Sequence, residues 1–356
     1  MSKNNLRRLG DYIREVDVRN RDLKVTKLVG LTIDKAFIPS VANVIGTDLS
    51  NYKVMRRNQF ACSLMQVSRD GKMPVAMFDE DAAIMSPAYP MFEVVDENKL
   101  LPEYLMMWFC RSEFDREACF YAVGGVRGSL TWEDFCNMKR LVPGIKPQRQ
   151  IVEQYQTLET RIQNNRKRCT TLEQTAQALY TKTFVEGIDK EHLPEGWRMG
   201  KLDDIAIAKN GKLKEITEGI IPIYGGNGVV GYTTENNAEN VIVVRRVGAN
   251  CGNLYMQKNR CWVNDNAISV STKEFGIQYI YRLMQTLDLN NQSEGSSQPL
   301  ITKGILNKQE CLIPPKEIVN EFCSKAEALY NSVDLYNQEN EKILEMQSLL
   351  LSKIGK

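Results

Sequence analysis

One histidine is the whole imidazole supply of this 356-residue chain. His192 lies in the polar stretch Lys190-Glu191-His192-Leu193-Pro194, ahead of a turn, where a solvated ring is expected. A single imidazole cannot build a two-histidine metal site, and no Ser/His/Asp or Cys/His nucleophile set can be assembled around it. Nine cysteines (Cys62, Cys110, Cys119, Cys136, Cys169, Cys251, Cys261, Cys311 and Cys323) include no Cys-x-x-Cys pair. Reduced thiols are therefore expected, with no zinc cage and no metal.

Gly226-Asn227-Gly228-Val229-Val230-Gly231 has the G-x-G-x-x-G spacing of a dinucleotide fingerprint. That chemistry also needs a helix after the loop and an acid about 20 residues on. Here Tyr232-Thr233-Thr234-Glu235-Asn236-Asn237 is poor in helix formers, and Asn250 stands where the acid belongs. A glycine turn bringing backbone close to a partner is the better expectation. No P-loop occurs, and Ser86-Pro87-Ala88-Tyr89 and Glu97-Asn98-Lys99 are only fragments of methyltransferase and nuclease motifs. The chain reads as non-catalytic and without a cofactor of its own.

What remains is a polar inventory suited to nucleic acid. The second half offers Tyr224, Asn227, Arg245, Arg246, Asn250, Asn264-Asp265-Asn266 and Gln298; the first offers Arg56, Arg57, Gln66, Arg69, Lys72 and Arg127. Arginine and lysine match guanine O6 and N7, asparagine and glutamine match adenine N6 and N7, and amides in glycine turns can hold phosphate. Net charge is only +2, but residues 241–264 carry Arg245, Arg246, Lys258 and Arg260 with no acid. Such local clustering points to an anionic partner. Any one of these residues is equally a turn residue satisfying local backbone; their concentration is the signal.

Those residues need a scaffold, and a repeat supplies it. Residues 124–183 lie on residues 295–354 without a gap, Leu141-Val142-Pro143 meeting Leu312-Ile313-Pro314 and Thr131 meeting Thr302. After each proline, apolar residues recur at alternating steps of four and three. The first run includes Ile151, Tyr155, Leu158, Ile162, Leu172 and Leu179; the second includes Phe322, Leu329, Val333, Tyr336, Ile343 and Leu350. Each seam contains a polar residue, Asn165 or Asn340, suited to fixing register. The period predicts two paired helices of about 55 Å at 1.5 Å per residue.

Leu9-Gly10-Asp11-Tyr12-Ile13 repeats more loosely as Leu202-Asp203-Asp204-Ile205-Ala206, at an offset that makes the first globular stretch the longer one. Short β-rich runs (residues 241–244 and 267–270) and helical stretches (102–109 and 278–285) make each globular part mixed α/β. The expected architecture is two globular domains separated by two long antiparallel coiled-coil helices, related by a pseudo-twofold internal repeat. Its divisions are 1–146 and 188–315 for the globular domains, and 147–187 and 316–356 for the helices. The composition, 43% hydrophobic and 25% charged, excludes collagen-like and disordered classes. With no long apolar run and no secretory start, a cytoplasmic location is expected.

At this point the residues resemble a known family. Ile221-Pro222-Ile223-Tyr224-Gly225-Gly226-Asn227-Gly228-Val229-Val230-Gly231-Tyr232 and Trp262-Val263-Asn264-Asp265-Asn266-Ala267 look like signatures of the specificity subunits of type I restriction-modification systems. Gln66-Val67-Ser68-Arg69-Asp70-Gly71-Lys72, Arg127-Gly128-Ser129-Leu130 and the helix segment Leu350-Leu351-Ser352-Lys353-Ile354 are similar to that family as well. The resemblance implies two target-recognition domains that each read half of a split site on double-stranded DNA. It implies helices that set the spacer and dock two methyltransferase (modification) subunits, which bind S-adenosylmethionine, and a restriction/translocase subunit using ATP and Mg²⁺. The competing expectations are a coiled-coil protein-interaction scaffold without DNA binding, and an enzyme using the glycine loop for a nucleotide.

Overall fold

The computed structural model describes residues 6–40, 46–65, 67–123, 128–226, 228–248, 251–292 and 299–354. The chain divides into two compact units, one of Met1–Asn164 with Glu339–Lys356 and the other of Asn165–Gln338. Both are mixed α/β.

In the first unit, strand Leu6–Arg8 pairs antiparallel with Lys139–Leu141, tying the two ends of the globular stretch together. Its main sheet has the order Ile13–Glu15, Met91–Val94, Phe60–Cys62, Val75–Met77, antiparallel throughout. Two further pairs, Val29–Leu31 with Phe37–Pro39 and Lys53–Arg56 with Ala82–Met85, extend the β part. Helix Pro102–Phe109 begins on a proline, which suits a first turn whose N–H has no helical partner. Helices Ser112–Ala122 and Trp132–Asn137 follow. The core is aromatic: Phe60 and Phe92 stand opposite each other on neighbouring strands with ring centroids 4.9 Å apart. Phe109, Phe114, Phe135 and Trp132 pack around them.

The second unit repeats this plan. Arg198–Lys201 pairs antiparallel with Glu310–Ile313. The main sheet runs Ala206–Asn210, Ala267–Thr272, Val241–Arg245, Leu254–Gln257, which is the first unit's order strand for strand. Ile13 matches Ala206 in the repeat, so the position of the Phe60–Phe92 pair is taken by Ile242 and Val270, fully buried. Thr131 and Thr302, matched by the repeat, both cap short helices, their hydroxyls accepting from the N–H of Asp134 (3.0 Å) and Ile305 (3.2 Å). The expected helix at 278–285 starts one residue earlier, at Ile277.

The two long helices, Ile145–Phe184 and Lys316–Lys353, each contribute to both units. Pro147 falls in a first turn, where it is tolerated. Within the first unit, Arg161 forks onto Glu339 (2.8 and 3.2 Å) and Gln347 donates to Glu159 (3.0 Å). Within the second, Arg168 donates to the Tyr336 hydroxyl (3.1 Å), and Phe184 meets Phe322 with ring centroids 5.2 Å apart. In both units the helices run antiparallel. Ile162, Val333 and Ile343 are buried, and Ile151, Tyr155, Leu158, Leu172, Leu179, Leu329, Tyr336 and Leu350 half-buried, while most intervening positions are exposed. Phe322 is buried too.

Candidate nucleic-acid interface

The glycine-rich motif folds as a hairpin. Ile221–Gly225 pairs antiparallel with Gly228–Thr233, and a register shift at Ile223/Tyr224 leaves Val230 bulged between the pairs Ile223–Gly231 and Tyr224–Val229. Gly228 has φ +92, a conformation that favours glycine. A Cβ on Gly225 would stand 2.9 Å from Val230 Cγ1, too close for a side chain without rearrangement. A strand, not a helix, follows the loop, so the motif is a turn and not a dinucleotide fingerprint.

Beside this hairpin end stand several of the expected residues. Arg245 closes strand Val241–Arg245; its Nε donates to the Val247 carbonyl (3.1 Å) and lies 3.8 Å from where a Gly226 Cβ would be. Arg246 Nη1 donates to the Asp265 carbonyl (3.4 Å), and its backbone N–H to the Asn266 carbonyl (3.1 Å). Asn266 is exposed, and its N–H donates to Asn264 Oδ1 (2.8 Å). Tyr224 is half-buried, its hydroxyl donates to Gln257 Oε1 (3.3 Å), and burial pushes its phenol up. The structure thus gathers Arg245, Arg246 and Asn266 around one sheet end, while the Tyr224 hydroxyl turns to Gln257, which pairs with Val241 at the strand's other end.

The run of four bases in residues 241–264 does not act as one cluster. Lys258 pairs with Asp334 (2.8 Å) and Arg260 with Glu239 (3.4 Å), acids brought in by the fold from outside the run. Arg245 and Arg246 make no ion pair among the described residues. Their charge is what this face presents.

In the first unit the candidates stand on separate elements and most are neutralised. Arg56 ends a strand and is exposed; Arg57 pairs with Asp81 (3.2 Å). Arg69, on helix Val67–Asp70, pairs with Asp70 (2.6 Å), whose carboxyl it holds below the usual range. Lys72 pairs with Asp34 (3.4 Å). Gly128, at φ +69, lies hard against that helix: a Cβ there would stand 2.0 Å from Ser68 Oγ. Gln66, Arg127, Asn227, Asn250 and Gln298 fall outside the described residues.

Sequence reading missed the shielded pair Lys35–Asp115 (2.8 Å). Asp115 also accepts from the Met73 N–H (3.1 Å), and Lys35 sits at φ +63. A lysine and an aspartate that far apart in the chain carry no local signal. Asn264 was visible within its Asn-Asp-Asn triplet, but its geometry was not.

The two units are built on one strand order, and the second carries charged and amide groups at loop ends. Residues 194–345 match the family described as type I restriction modification DNA specificity domain. A 119-residue stretch is 28% identical to the type I restriction enzyme EcoprrI specificity subunit of Escherichia coli, spanning 32% of this chain and 30% of that protein. The S subunit of a type I restriction-modification system from M. genitalium has the same fold, with a TM-score of 0.63 at 14% identity over 100% of this chain and 98% of that one. The family match thus covers the second globular stretch and much of the helix after it, and the curated relative is matched over about a third of its own length. Among the described residues, no helix is long and apolar enough to cross a membrane.

Proposed function

We propose that this chain is the DNA sequence-reading subunit of a type I restriction-modification complex, working in the cytoplasm. The observation that carries the reading is the duplicated unit, whose second copy matches the type I restriction modification DNA specificity domain. One chain with two non-identical readers suits a split, asymmetric DNA site. The main-sheet frame is held constant while the surface residues differ, as separate half-sites require. Chemistry falls to the partners. Two methyltransferase subunits carrying S-adenosylmethionine would dock on the helices and methylate adenine, which must leave the duplex stack to react. A restriction/translocase subunit would bring ATP and Mg²⁺. This chain contributes binding, phosphate contacts giving a salt-sensitive, sequence-blind part and base contacts the discrimination.

The test is a map of methylated adenines in host DNA with and without the gene. A bipartite motif that vanishes with the gene supports the reading, and an unchanged methylome sinks it. Deleting one heptad from each helix, residues 158–164 and 329–335, shortens each by about 10 Å and keeps the seam in phase. The unspecified spacer should then shorten or modification should stop; an unaltered motif removes the helices from that role.

A further inference from the structure

We infer that the second unit reads a guanine, with Arg245 as its reader and Asn264 as a donor-only companion. This rests on the DNA-reading proposal above. Recognition of adenine by an asparagine needs both ends of one amide, the oxygen taking N6–H and the nitrogen giving to N7. Asn264 cannot offer both. Its Oδ1 accepts the Asn266 N–H at 2.8 Å, a bond within the turn that fixes which way the amide points. Its own backbone is held as well, N–H to the Tyr224 carbonyl (2.9 Å) and carbonyl from the Ala267 N–H (3.0 Å). What remains is Nδ2, 3.4 Å from where a Gly225 Cβ would stand, giving to no acceptor among the described residues. With no side chain at Gly225, that donor keeps its place beside the hairpin.

Arg245 is poised in the same sense. Its Nε is tied to the Val247 carbonyl and its Nη2 lies 3.4 Å from where a Gly248 Cβ would stand, and neither Nη gives to an acceptor among the described residues. It makes no ion pair among the described residues, unlike Lys258 and Arg260. An arginine presenting two Nη groups end-on matches the paired acceptors O6 and N7 of guanine. On adenine the same fork would meet the N6 donor, and on cytosine the N4 donor. Arg246 has another part: its Nη1 holds the Asp265 carbonyl, and its backbone N–H the Asn266 carbonyl, so it braces the turn that carries Asn264.

The experiment uses the complex of this chain with its methyltransferase subunits. Methylated motifs are mapped for wild type, Arg245→Ala and Asn264→Asp, the latter keeping an acceptor for the Asn266 N–H while replacing the donor. The expected result is one half-site with a guanine whose identity loosens in both variants, the other half-site staying unchanged. Replacing that guanine by 7-deazaguanine in an oligonucleotide should weaken wild-type binding about 10-fold and Arg245→Ala binding less than about 2-fold. If Arg245→Ala fails to assemble, Arg245→Lys keeps the charge without the fork and should loosen the same position. Loosening at an adenine overturns the inference and leaves DNA reading intact. So does uniform weakening on all sequences with a shallower salt dependence, which marks a phosphate contact. A methylome indifferent to the whole gene overturns the DNA-reading proposal itself.

Discussion

The two units share a frame and differ in what fills it. Both main sheets have one strand order, both globular stretches are closed by an antiparallel pair, and both carry a threonine cap at the repeat position. Yet the central cross-strand pair is Phe60–Phe92 in one and Ile242–Val270 in the other. The candidate bases of the first unit are largely matched by Asp81, Asp70 and Asp34, whereas Arg245 and Arg246 of the second face only carbonyls. Pairing and caps therefore specify the fold, and core identity and surface charge vary within it.

The largest expected effect separates the cores. Phe92 is fully buried in a ring cluster, so Phe92→Ala should cost about 3–5 kcal/mol. That corresponds to roughly 6–20 °C in the melting of the first unit. Ile242→Ala, in the matched pair, should cost about 2–5 kcal/mol and act on the second unit. Calorimetry of both variants checks the division; one transition falling equally in each would show that the units do not melt separately.

Next come the charges. Arg245→Ala should weaken DNA binding by about 5–150-fold, the worth of roughly 1–3 kcal/mol for a good base contact. Arg69→Ala removes a charge that Asp70 already neutralises and should cost no more than about 3-fold. Asp70→Asn frees Arg69 and should tighten binding. Anisotropy at two salt concentrations measures all three, and equal losses for Arg245→Ala and Arg69→Ala would erase the contrast between the surfaces.

Much of this frame was legible in the sequence because it is periodic or duplicated. The seam of four and three steps, the gapless repeat through Thr131 and Thr302, and helix Pro102–Phe109 all rest on local pattern. The hairpin was half legible: the missing helix formers after Gly231 argued against a nucleotide loop, but the bulge at Val230 depends on register across the pair. Charge pairing was not legible, since Lys258 finds Asp334 and Arg57 finds Asp81 only through tertiary contact. Nor does Lys139-Arg140-Leu141 disclose that Arg140 is buried against the Trp108 ring, 3.4 Å from its centroid, its pKa pushed down to about 9 by that burial. Which face of a short strand points inward is decided by its partner.

The caps offer a smaller and symmetric effect. Thr131→Ala and Thr302→Ala each remove one bond to a helix N–H and should cost about 1 kcal/mol, alike in the two units. Denaturant midpoints would show it, and a clearly unequal cost would mean that one of the short helices matters more to its unit.

The smallest effect tests a pair that the repeat makes equivalent. Asp204 accepts from the Lys201 N–H and from Arg198, both at 3.1 Å, while its counterpart Asp11 has no carboxylate bond among the described residues. The Lys201 N–H first and Arg198 second hold the Asp204 carboxyl below its ordinary 3.8. A carboxylate depressed by folding stabilises the fold above its unfolded value, and that contribution disappears as pH falls through the lower, folded one. Asp204→Asn should therefore lower the urea midpoint of the second unit at pH 7, with the gap from wild type closing below about pH 3.8. Asp11→Asn should leave the first unit's midpoint in place at pH 7. A gap for Asp204→Asn that persists unchanged into acid would mean that the asparagine disturbs packing, and that charge at this position does not distinguish the two copies.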